Sequence, residues 1–253
     1  MKKIVFILSV ILPFAFNACK SKNKTCEHSQ EENVQLAGYH VVKTNDFTVT
    51  GDGSNLNWEK AAWMQLTQRR PSETDPSRET KAKVMYSQTG IYCLFDCKDK
   101  MITATMQADC LDLWLEDVVE AFFWTDESIP FYFEYEISPL NYELPIMISN
   151  HDGELFRWQP FHYNDNRKTQ RATAVQGGEK KHGAKISSWT AEFFIPYNLL
   201  SPLRNVPPKS GDKWRANFYR MDSDEKNPRK SWSWTMTNGN FHNYSTFGNL
   251  FFE

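Results

Sequence analysis

Apolar and polar side chains alternate along several short segments of this chain of 253 residues. In the segment 131–137, every odd position is aromatic or aliphatic, and two of the three even positions are Glu. Successive side chains of a β-strand point to opposite faces, so this alternation predicts a strand with one face in a core. Comparable segments cover residues 82–86, 91–97, 118–124, 189–195 and 214–221.

Turn-forming and polar residues separate these segments, whereas helical periodicity is confined to 58–64 and to a short turn at 197–200. Many short strands with polar connections favour an all-β fold, and we predict an antiparallel β-sandwich with few short helices. The polar stretches around Asp152-Gly153 and from Asn164 to Gly183 are expected to lie outside the core.

The N-terminus has the pattern of an export signal. Lys2 and Lys3 precede an apolar run from Ile4 to Phe16, which is too short for a mature membrane span but suits a signal peptide. The sequence Phe16-Asn17-Ala18-Cys19 resembles the lipobox of bacterial lipoproteins. We predict a signal peptide over 1–18, a lipidated Cys19 with a flexible linker over 19–38, and one domain over 39–253. An ordinary signal peptide with an unrelated cysteine is the alternative.

The predicted processing bears on partners and on location. It removes Lys2 and Lys3, so 29 basic residues become 27 against 31 acidic ones, and the formal charge becomes −4. This balance gives no reason to expect a nucleic acid as partner. The lipid anchor predicts the cell envelope of a Gram-negative bacterium, at the cell surface or facing the periplasm. The basic stretch Lys20 to Lys24 favours the periplasm, because Bacteroidetes-type surface lipoproteins often have acidic residues there.

The cysteines leave the disulfide state open. An oxidising compartment would permit bridges among Cys26, Cys93, Cys97 and Cys110. Cys93 and Cys97 cannot pair with each other, since their α-carbons would lie about 13 Å apart on one strand. A bridge from either to Cys110 is possible, and buried free thiols are the alternative. No Cys-x-x-Cys or Cys/His cluster predicts a metal site.

The stretch from Asp112 to Trp124 places an ionisable residue inside an apolar strand. Glu120 lies among Val, Ala and Phe, and Trp114 comes shortly before it. An unpaired buried carboxylate is costly, so Glu120 needs a partner. A sugar is one such partner, because Trp supplies a flat apolar surface for its ring and a carboxylate accepts from its hydroxyls. Alternatively, Glu120 is a structural carboxylate held by Arg215 or Arg220.

A series of short motifs follows one order along the chain: Gly51-Asp52-Gly53, Trp58, Ala62-Trp63, Thr80-Lys81-Ala82-Lys83-Val84, Ile91-Tyr92, Trp114 to Phe122, Tyr132 to Leu140, Trp189 to Pro196, Trp214 to Arg220 and Phe247-Gly248-Asn249-Leu250. The series resembles family 9 carbohydrate-binding modules over essentially the whole domain 39–253. No single motif is specific, but their order is. The resemblance implies a jelly-roll-like sandwich related to the DOMON group.

Sugar binding in that family uses two aromatic platforms with a carboxylate between them. Trp114 and Glu120 match one platform and the carboxylate by their order and spacing. The second platform normally comes from near the C-terminus, where the candidates are Trp232, Trp234, Phe241 and His242.

We assign Trp234, Phe241 and His242 to the predicted ligand site with Trp114 and Glu120, and we prefer Trp234 as the second platform because it precedes the loop 237–240. Trp232 and Trp234 lie two residues apart on one strand face, so the alternative is that both fill the core.

The strand after the Glu strand departs from the family pattern, and one further Glu is given a structural role. Sugar-binding members carry a basic residue on the strand after the Glu strand, whereas this chain has Glu134 and Glu136 there. Part of the polar network is therefore expected to differ. Glu192 is predicted to be structural and to pair with a basic neighbour.

These observations predict a non-catalytic carbohydrate-binding lipoprotein that is accessory to glycan catabolism and binds an oligosaccharide or polysaccharide. A glycoside hydrolase is an alternative, because Glu120, Glu134 and Glu136 could supply the carboxylate pair that it requires. An electron-transfer domain with b-type haem is another, because related DOMON sandwiches bind haem through Met with His or Lys. The possible haem ligands are Met85, Met101, Met106, Met147, His151 and His162.

No catalytic residue, metal ligand or cofactor is assigned. Structural calcium is possible, since family relatives often hold it and Asp52, Asp117 and Asp126 offer oxygen ligands. No spacing of the EF-hand type is present.

Overall fold

The computed structural model describes residues 36–69, 75–160, 164–224, 229–237 and 239–253, and within 154–160 it describes the backbone and the side chain of Leu155. The predicted signal peptide, Cys19, Cys26, most of the linker and His162 lie outside the described residues.

Thirteen strands run through the described residues. They are β1 (Gly38–Lys43), β2 (Met64–Gln68), β3 (Thr80–Tyr86), β4 (Gly90–Lys98), β5 (Val118–Trp124), β6 (Phe131–Ile137), β7 (Glu143–His151), β8 (Glu154–Pro160), β9 (Gln170–Gln176), β10 (Ser188–Pro196), β11 (Lys213–Asp222), β12 (Lys230–Ser233) and β13 (Gly248–Phe252). The helical elements are α1 (Tyr197–Leu200) and 3-10 turns at Leu56–Lys60, Pro76–Arg78, Leu113–Leu115, Asp165–Arg167 and Tyr244–Thr246. The predicted all-β class with few short helices is confirmed. Within the described ranges, no helix is long and apolar enough to cross a membrane.

Six strands pair edge to edge in a closed ring, in the order β11, β12, β2, β3, β1, β13 and back to β11. Strands β5, β6, β7 and β8 continue outward from β11, and β4, β10 and β9 continue outward from β3. Strand β1 pairs in parallel with both β13 and β3. The other strand pairs of the described chain are antiparallel. The arrangement is therefore a six-stranded ring with outer strands, and β1 departs from the predicted antiparallel pairing.

The main core lies between the two sets of outer strands. Tyr135 of β6 packs on Phe193 of β10 with ring centroids 4.5 Å apart, and Phe95 of β4 lies 6.1 Å from Phe218 of β11. The odd positions of β6 belong to this core, as their alternation predicts.

The opposite face of β6 is buried as well, which the alternation did not predict. Tyr132, Glu134 and Glu136 are 0%, 4% and 0% exposed. The segments that precede β5 and follow β12 contribute Leu113 and Phe247 to a second hydrophobic cluster on this side of the sheet. Polar residues that look solvent-facing in the sequence therefore lie between the sheet and these segments.

Several local predictions can be compared with the structure. The helix predicted over 58–64 is wrong, because a 3-10 turn ends at Lys60 and β2 begins at Met64. The stretch 164–183 is not only loop, since β9 lies within it and pairs along β10. The helical turn at 197–200 is confirmed as α1.

The three described cysteines are free thiols. Cys93 and Cys97 are buried in β4, and burial raises the pKa of both thiols. They act as small apolar side chains, which was one of the two alternatives.

Glu192 of β10 ties the segment before the first 3-10 turn to the sheet. Its buried carboxylate accepts hydrogen bonds from the backbone N–H groups of Thr50 (2.9 Å) and Gly51 (2.8 Å) and from Trp58 Nε1 (2.9 Å). These donors are neutral, whereas the sequence analysis predicted a basic partner for Glu192. That part of the prediction is therefore wrong. Gly51 is required because a Cβ there would lie 2.8 Å from the backbone of Ala172.

Replacing Glu192 by Ala should lower the free energy of unfolding by about 3 kcal/mol or more, because each orphaned buried donor costs about 1–3 kcal/mol. Urea unfolding followed by Trp fluorescence measures the loss. Glu192→Gln keeps an acceptor oxygen and should lose less. Equal stability of the wild type and Glu192→Ala would show that these bonds contribute nothing.

Candidate functional site

A pocket of about 330 Å³ opens on the second buried face of the outer sheet that contains β5, β6 and β7. Its volume lies at the lower end of the range typical of small-molecule sites. The residues that line it are Trp114, Glu120, Glu134, Ile146, Ile148, Leu155, Met221, Arg229, Asn240, Phe241 and His242. Four of the five predicted ligand residues, Trp114, Glu120, Phe241 and His242, are thus brought together from two distant parts of the sequence.

Three carboxyl groups share the face beneath the pocket. Glu120 lies opposite Glu136 in the β5–β6 register, and Glu134 precedes Glu136 by two residues on the same face. Burial raises the pKa of Glu120 to about 8, although the charges of Arg229 and Arg69 oppose this shift. Burial and the nearby Glu120 charge raise the pKa of Glu134 and Glu136 well above the usual value. Burial therefore favours the uncharged form of each of the three groups.

Two carboxyl oxygens of the pocket residues have no hydrogen-bond partner within the described part of the chain. They are Oε1 of Glu120 and Oε2 of Glu134. Glu120 and Glu134 are only 2% and 4% exposed, so the protein solvates these atoms poorly. Buried polar groups are usually satisfied by hydrogen bonds, so these two oxygens can still bond to a molecule that enters the pocket.

Neither arginine proposed as a structural partner holds Glu120. Arg215 donates to Glu127 at 3.0 Å and to the Phe247 carbonyl at 2.9 Å. Arg220 is fully buried and pairs with Asp99 and Asp222 at 2.9 and 2.8 Å. The predicted pairing of Glu120 with Arg215 or Arg220 is therefore wrong.

Local hydrogen bonds hold Trp114 at one side of the pocket. Trp114 lies in the 3-10 turn just before β5, next to the buried Leu113. The Asp117 carboxylate, two residues after this turn, accepts from the Thr103 N–H at 2.6 Å and from the Ser223 N–H at 2.8 Å. The turn is thereby fixed to two other segments, which makes the position of Trp114 well defined.

Phe241 and His242 form a second side of the pocket. Tyr219 of β11 stacks on Phe241 with ring centroids 4.1 Å apart, and its hydroxyl donates to the Phe241 carbonyl at 2.8 Å. The Nδ1 atom of His242 lies 2.6 Å from the Tyr132 hydroxyl. Burial lowers the pKa of His242 to about 4, so the ring is neutral at pH 7. The His242 Nδ1 atom lies 3.9 Å from Oε2 of Glu134, but a neutral ring forms no ion pair with Glu134 at that pH.

Two arginines that the sequence analysis did not single out border the site. The Arg69 guanidinium lies 4.7 Å from the Phe241 ring centroid and donates to the Gly239 carbonyl at 2.5 Å. Arg229 lines the pocket and donates to the Trp114 carbonyl. Both lie near strand ends without a periodic pattern, and no sequence signal marks their proximity to the carboxyl groups.

Trp234, the preferred second platform, does not line the pocket. It packs against the main core, with its ring 6.5 Å from Tyr39 and 5.9 Å from Phe218. Trp232 is buried and lies beside the Arg220 guanidinium, at 4.9 Å. Both tryptophans therefore pack in or against the core, which was the alternative interpretation. Phe241 is the aromatic residue of the C-terminal region that lines the pocket.

The structure describes several of the residues named for the two alternative functions. Met85 and Met147 pack in different hydrophobic clusters, and His151 is exposed, so these haem candidates do not converge. A glycosidase needs one carboxylic acid and one carboxylate. Burial raises the pKa of Glu120, Glu134 and Glu136 alike, and Glu120 and Glu134 line the pocket.

Two of the possible calcium ligands named from the sequence make local hydrogen bonds. Asp52 accepts from the Ser54 N–H at 3.0 Å, and Asp126 accepts from the Ser128 N–H at 2.9 Å. A separate group of Asp99, Asp222 and Asp224 has ligand atoms within 4.8 Å of one another. Arg78 and Arg220 pair with this group, so its charge is already compensated.

Comparison with known proteins identifies the family. Residues 49–253 match the family described as carbohydrate family 9 binding domain-like. The match spans most of the chain, and the chain belongs to this family. A protein of Arthroderma benhamiae described as an extracellular protein is 26% identical over 186 residues, which cover 70% of this chain and 80% of that protein.

Solved structures with this fold include a candidate carbohydrate-binding protein from Bacteroides uniformis, with a TM-score of 0.70 and 18% identity over 85% of this chain and 99% of that one. A family 9 carbohydrate binding module from Caldicellulosiruptor kristjanssonii in complex with cellotriose has a TM-score of 0.61 and 15% identity, over 86% and 94% of the two chains. The same organism's module in complex with glucose has a TM-score of 0.58 and 15% identity, over 85% and 95%.

The raised pKa of Glu120 should make stability depend on pH. The folded pKa of about 8 exceeds the ordinary 4.5, so the contribution of protonated Glu120 is complete below about pH 4.5 and is lost as the pH rises through 8. Urea unfolding between about pH 5 and 8 should show Glu120→Gln gaining on the wild type as the pH rises. The gain should be on the order of a few kcal/mol, at about 1.4 kcal/mol per pKa unit.

Glu79→Gln is the matched control, because Glu79 is exposed and pairs with Lys98, which lowers its pKa. Its stability relative to the wild type should not rise over this range. A Glu120→Gln variant that runs parallel to the wild type at every pH would contradict a protonated Glu120.

Proposed function

We propose that this domain binds carbohydrate in the pocket between Trp114 and Phe241. The sugar ring lies against Trp114, and its hydroxyl groups bond to Glu120 and Glu134. The observation that carries this proposal is the pair of buried, unpartnered carboxyl oxygens beneath an aromatic side chain. A sugar matches both, because its C–H faces are apolar and its hydroxyls donate and accept.

Family membership and the neighbours' ligands support the proposal. The modules from Caldicellulosiruptor kristjanssonii have this fold and are described in complex with cellotriose and with glucose. The apolar part of the lining, including Ile146, Ile148 and Met221, suits the body of a sugar ring, and the protonated carboxyl groups can both donate to and accept from hydroxyls. The domain acts without catalysis and retains oligosaccharides or polysaccharides for the enzymes of glycan breakdown.

Trp114→Ala should weaken oligosaccharide binding about fivefold or more, because a lost stacking surface costs on the order of 1 kcal/mol or more. Isothermal titration against a panel of neutral β-linked and α-linked oligosaccharides measures the effect. Trp63→Ala is the matched control, since Trp63 is 38% exposed and is not among the residues that line the pocket. The ammonium groups of Lys81 and Lys83 lie 4.4 and 4.6 Å from its ring centroid.

Loss of affinity in Trp114→Ala with retention in Trp63→Ala supports the pocket as the sugar site. Equal affinity of the wild type and Trp114→Ala would refute the stacking role. If no oligosaccharide of the panel binds the wild type, the proposed function is wrong.

We further propose that Cys19 is lipidated and anchors the domain in the envelope of a Gram-negative bacterium. The apolar run that ends at Phe16 and the small residue Ala18 ahead of the cysteine support this proposal.

The full-length chain expressed in such a bacterium should incorporate labelled palmitate and fractionate with membranes, whereas Cys19→Ala should do neither, because a Cys thiol is the attachment point. Cys26→Ala is the matched control and should remain labelled. A labelled Cys19→Ala variant would place the lipid elsewhere.

A further inference from the structure

The charges around the pocket are unbalanced. Glu120, Glu134 and Glu136 share one buried face, and the nearest cationic groups are Arg229 and Arg69. No basic residue occupies β6, although the alternation there leaves three positions on this face. The sheet therefore collects acidic groups without placing a counter-charge among them.

The cations that border the face are partly engaged elsewhere. Arg229 is exposed and donates to the Trp114 carbonyl. Arg69 lies over Phe241 and donates to the Gly239 carbonyl.

The remaining groups that face the carboxyls carry no positive charge at neutral pH. Burial lowers the pKa of His242 and raises the pKa of Tyr132 and Tyr219, so all three are neutral. Arg229 and Arg69 favour the ionised form of Glu120, but burial outweighs them and still raises its pKa to about 8, so ionising Glu120 in this layer remains costly. A ligand that brings a positive charge would lower that cost, because an opposite charge favours the ionised form of a carboxyl group.

A hydroxyl group and an ammonium group would satisfy this site to different extents. A hydroxyl donates one hydrogen bond and leaves the charge imbalance unchanged. An ammonium donates three hydrogen bonds, forms charge-assisted bonds of roughly twice the strength and interacts favourably with an aromatic face. The unpartnered oxygens of Glu120 and Glu134 and the neighbouring Trp114 together supply what an ammonium requires.

We propose that the pocket prefers a sugar that carries a free amino group, with its ammonium against Glu120 and Glu134 and its ring on Trp114. This inference rests on the proposed carbohydrate binding and names the class of sugar. A hexosamine unit of a deacetylated glycan has this chemistry.

Proton balance gives the proposal a distinctive signature. At about pH 6, the free amine and the free Glu120 each hold a proton, whereas the ammonium–carboxylate complex holds one proton between them. Binding therefore releases about one proton to the solvent. A neutral sugar leaves Glu120 protonated and releases none.

Three β-1,4-linked trisaccharides that differ at C2 test the preference: the glucosamine trimer, the N-acetylglucosamine trimer and cellotriose. Titration calorimetry at about pH 6 in two buffers of different ionisation enthalpy gives both the affinity and the number of protons released. The glucosamine trimer should bind about tenfold or more tightly than the other two, because a charge-assisted hydrogen bond is roughly twice as strong as a neutral one. It alone should release about one proton.

Variants separate the inference from unspecific attraction between a cationic sugar and an acidic protein. Glu120→Gln should abolish both the tenfold preference and the proton release, whereas Glu79→Gln, at an exposed carboxylate, should keep both. Trp114→Ala leaves the net charge unchanged and should weaken binding of the glucosamine trimer. Undiminished binding by Trp114→Ala would overturn the inference, because the attraction would then lie outside the pocket.

The outcomes also separate the inference from the proposed function. Equal affinity for the three trimers, or tighter binding of cellotriose, overturns the amino-sugar preference and leaves carbohydrate binding intact. Tight binding of the glucosamine trimer without proton release also overturns the ammonium–carboxylate contact. If none of the trimers and no oligosaccharide of the neutral panel binds, both proposals fail.

Discussion

Burial of both faces of β5 and β6 is the constraint on which the rest of the structure depends. One face packs against β10 in the main core, and the other lies beneath two irregular segments. Any ionisable side chain on the second face must therefore reside in a poorly solvated layer. This burial is the largest cause of the pKa shift of Glu120, Glu134 and Glu136 alike. The pocket is the part of this layer that the covering segments leave open, so its chemistry follows from the way the sheet is enclosed.

Irregular segments can cover a sheet only if their backbone groups find partners, because a buried unpaired N–H or C=O is costly. Side chains of the strands supply those partners here. Arg215 of β11 donates to the carbonyls of Ser245 and Phe247, and Asn150 of β7 donates to the His242 carbonyl at 2.7 Å. The walls of the pocket are thus held by the same strands that form its floor. A binding site held in this way needs little ordering when a ligand arrives, which favours affinity.

The sequence predicted the strands well because their alternation has a direct physical cause. The second buried layer escaped prediction, since Glu134 and Glu136 at alternate positions look like a solvated face in any half-buried strand. The ordered motifs directed attention to Trp114 and Glu120, and both line the pocket. Trp234 shows what the sequence could not predict. An aromatic residue just after a strand and one in the following loop look alike in the sequence, and only the folded structure shows which of them packs in the core and which lines the pocket. Long-range pairings of arginines carry no local pattern at all.

The ring of six strands has a consequence for the order in which the molecule is made. Strand β1 is the first of the described strands and β13 is the last, yet the two lie side by side. Their pairing closes the ring. A chain that emerges from its N-terminus can form the central hairpins early, but β1 keeps one unpaired edge until residues 248–252 become available. We therefore expect closure of the ring to be a late step that involves the full length of the domain. The first and the last of the described strands must meet before the ring is complete, so a shortened product lacking β13 should expose a sheet edge and be open to self-association.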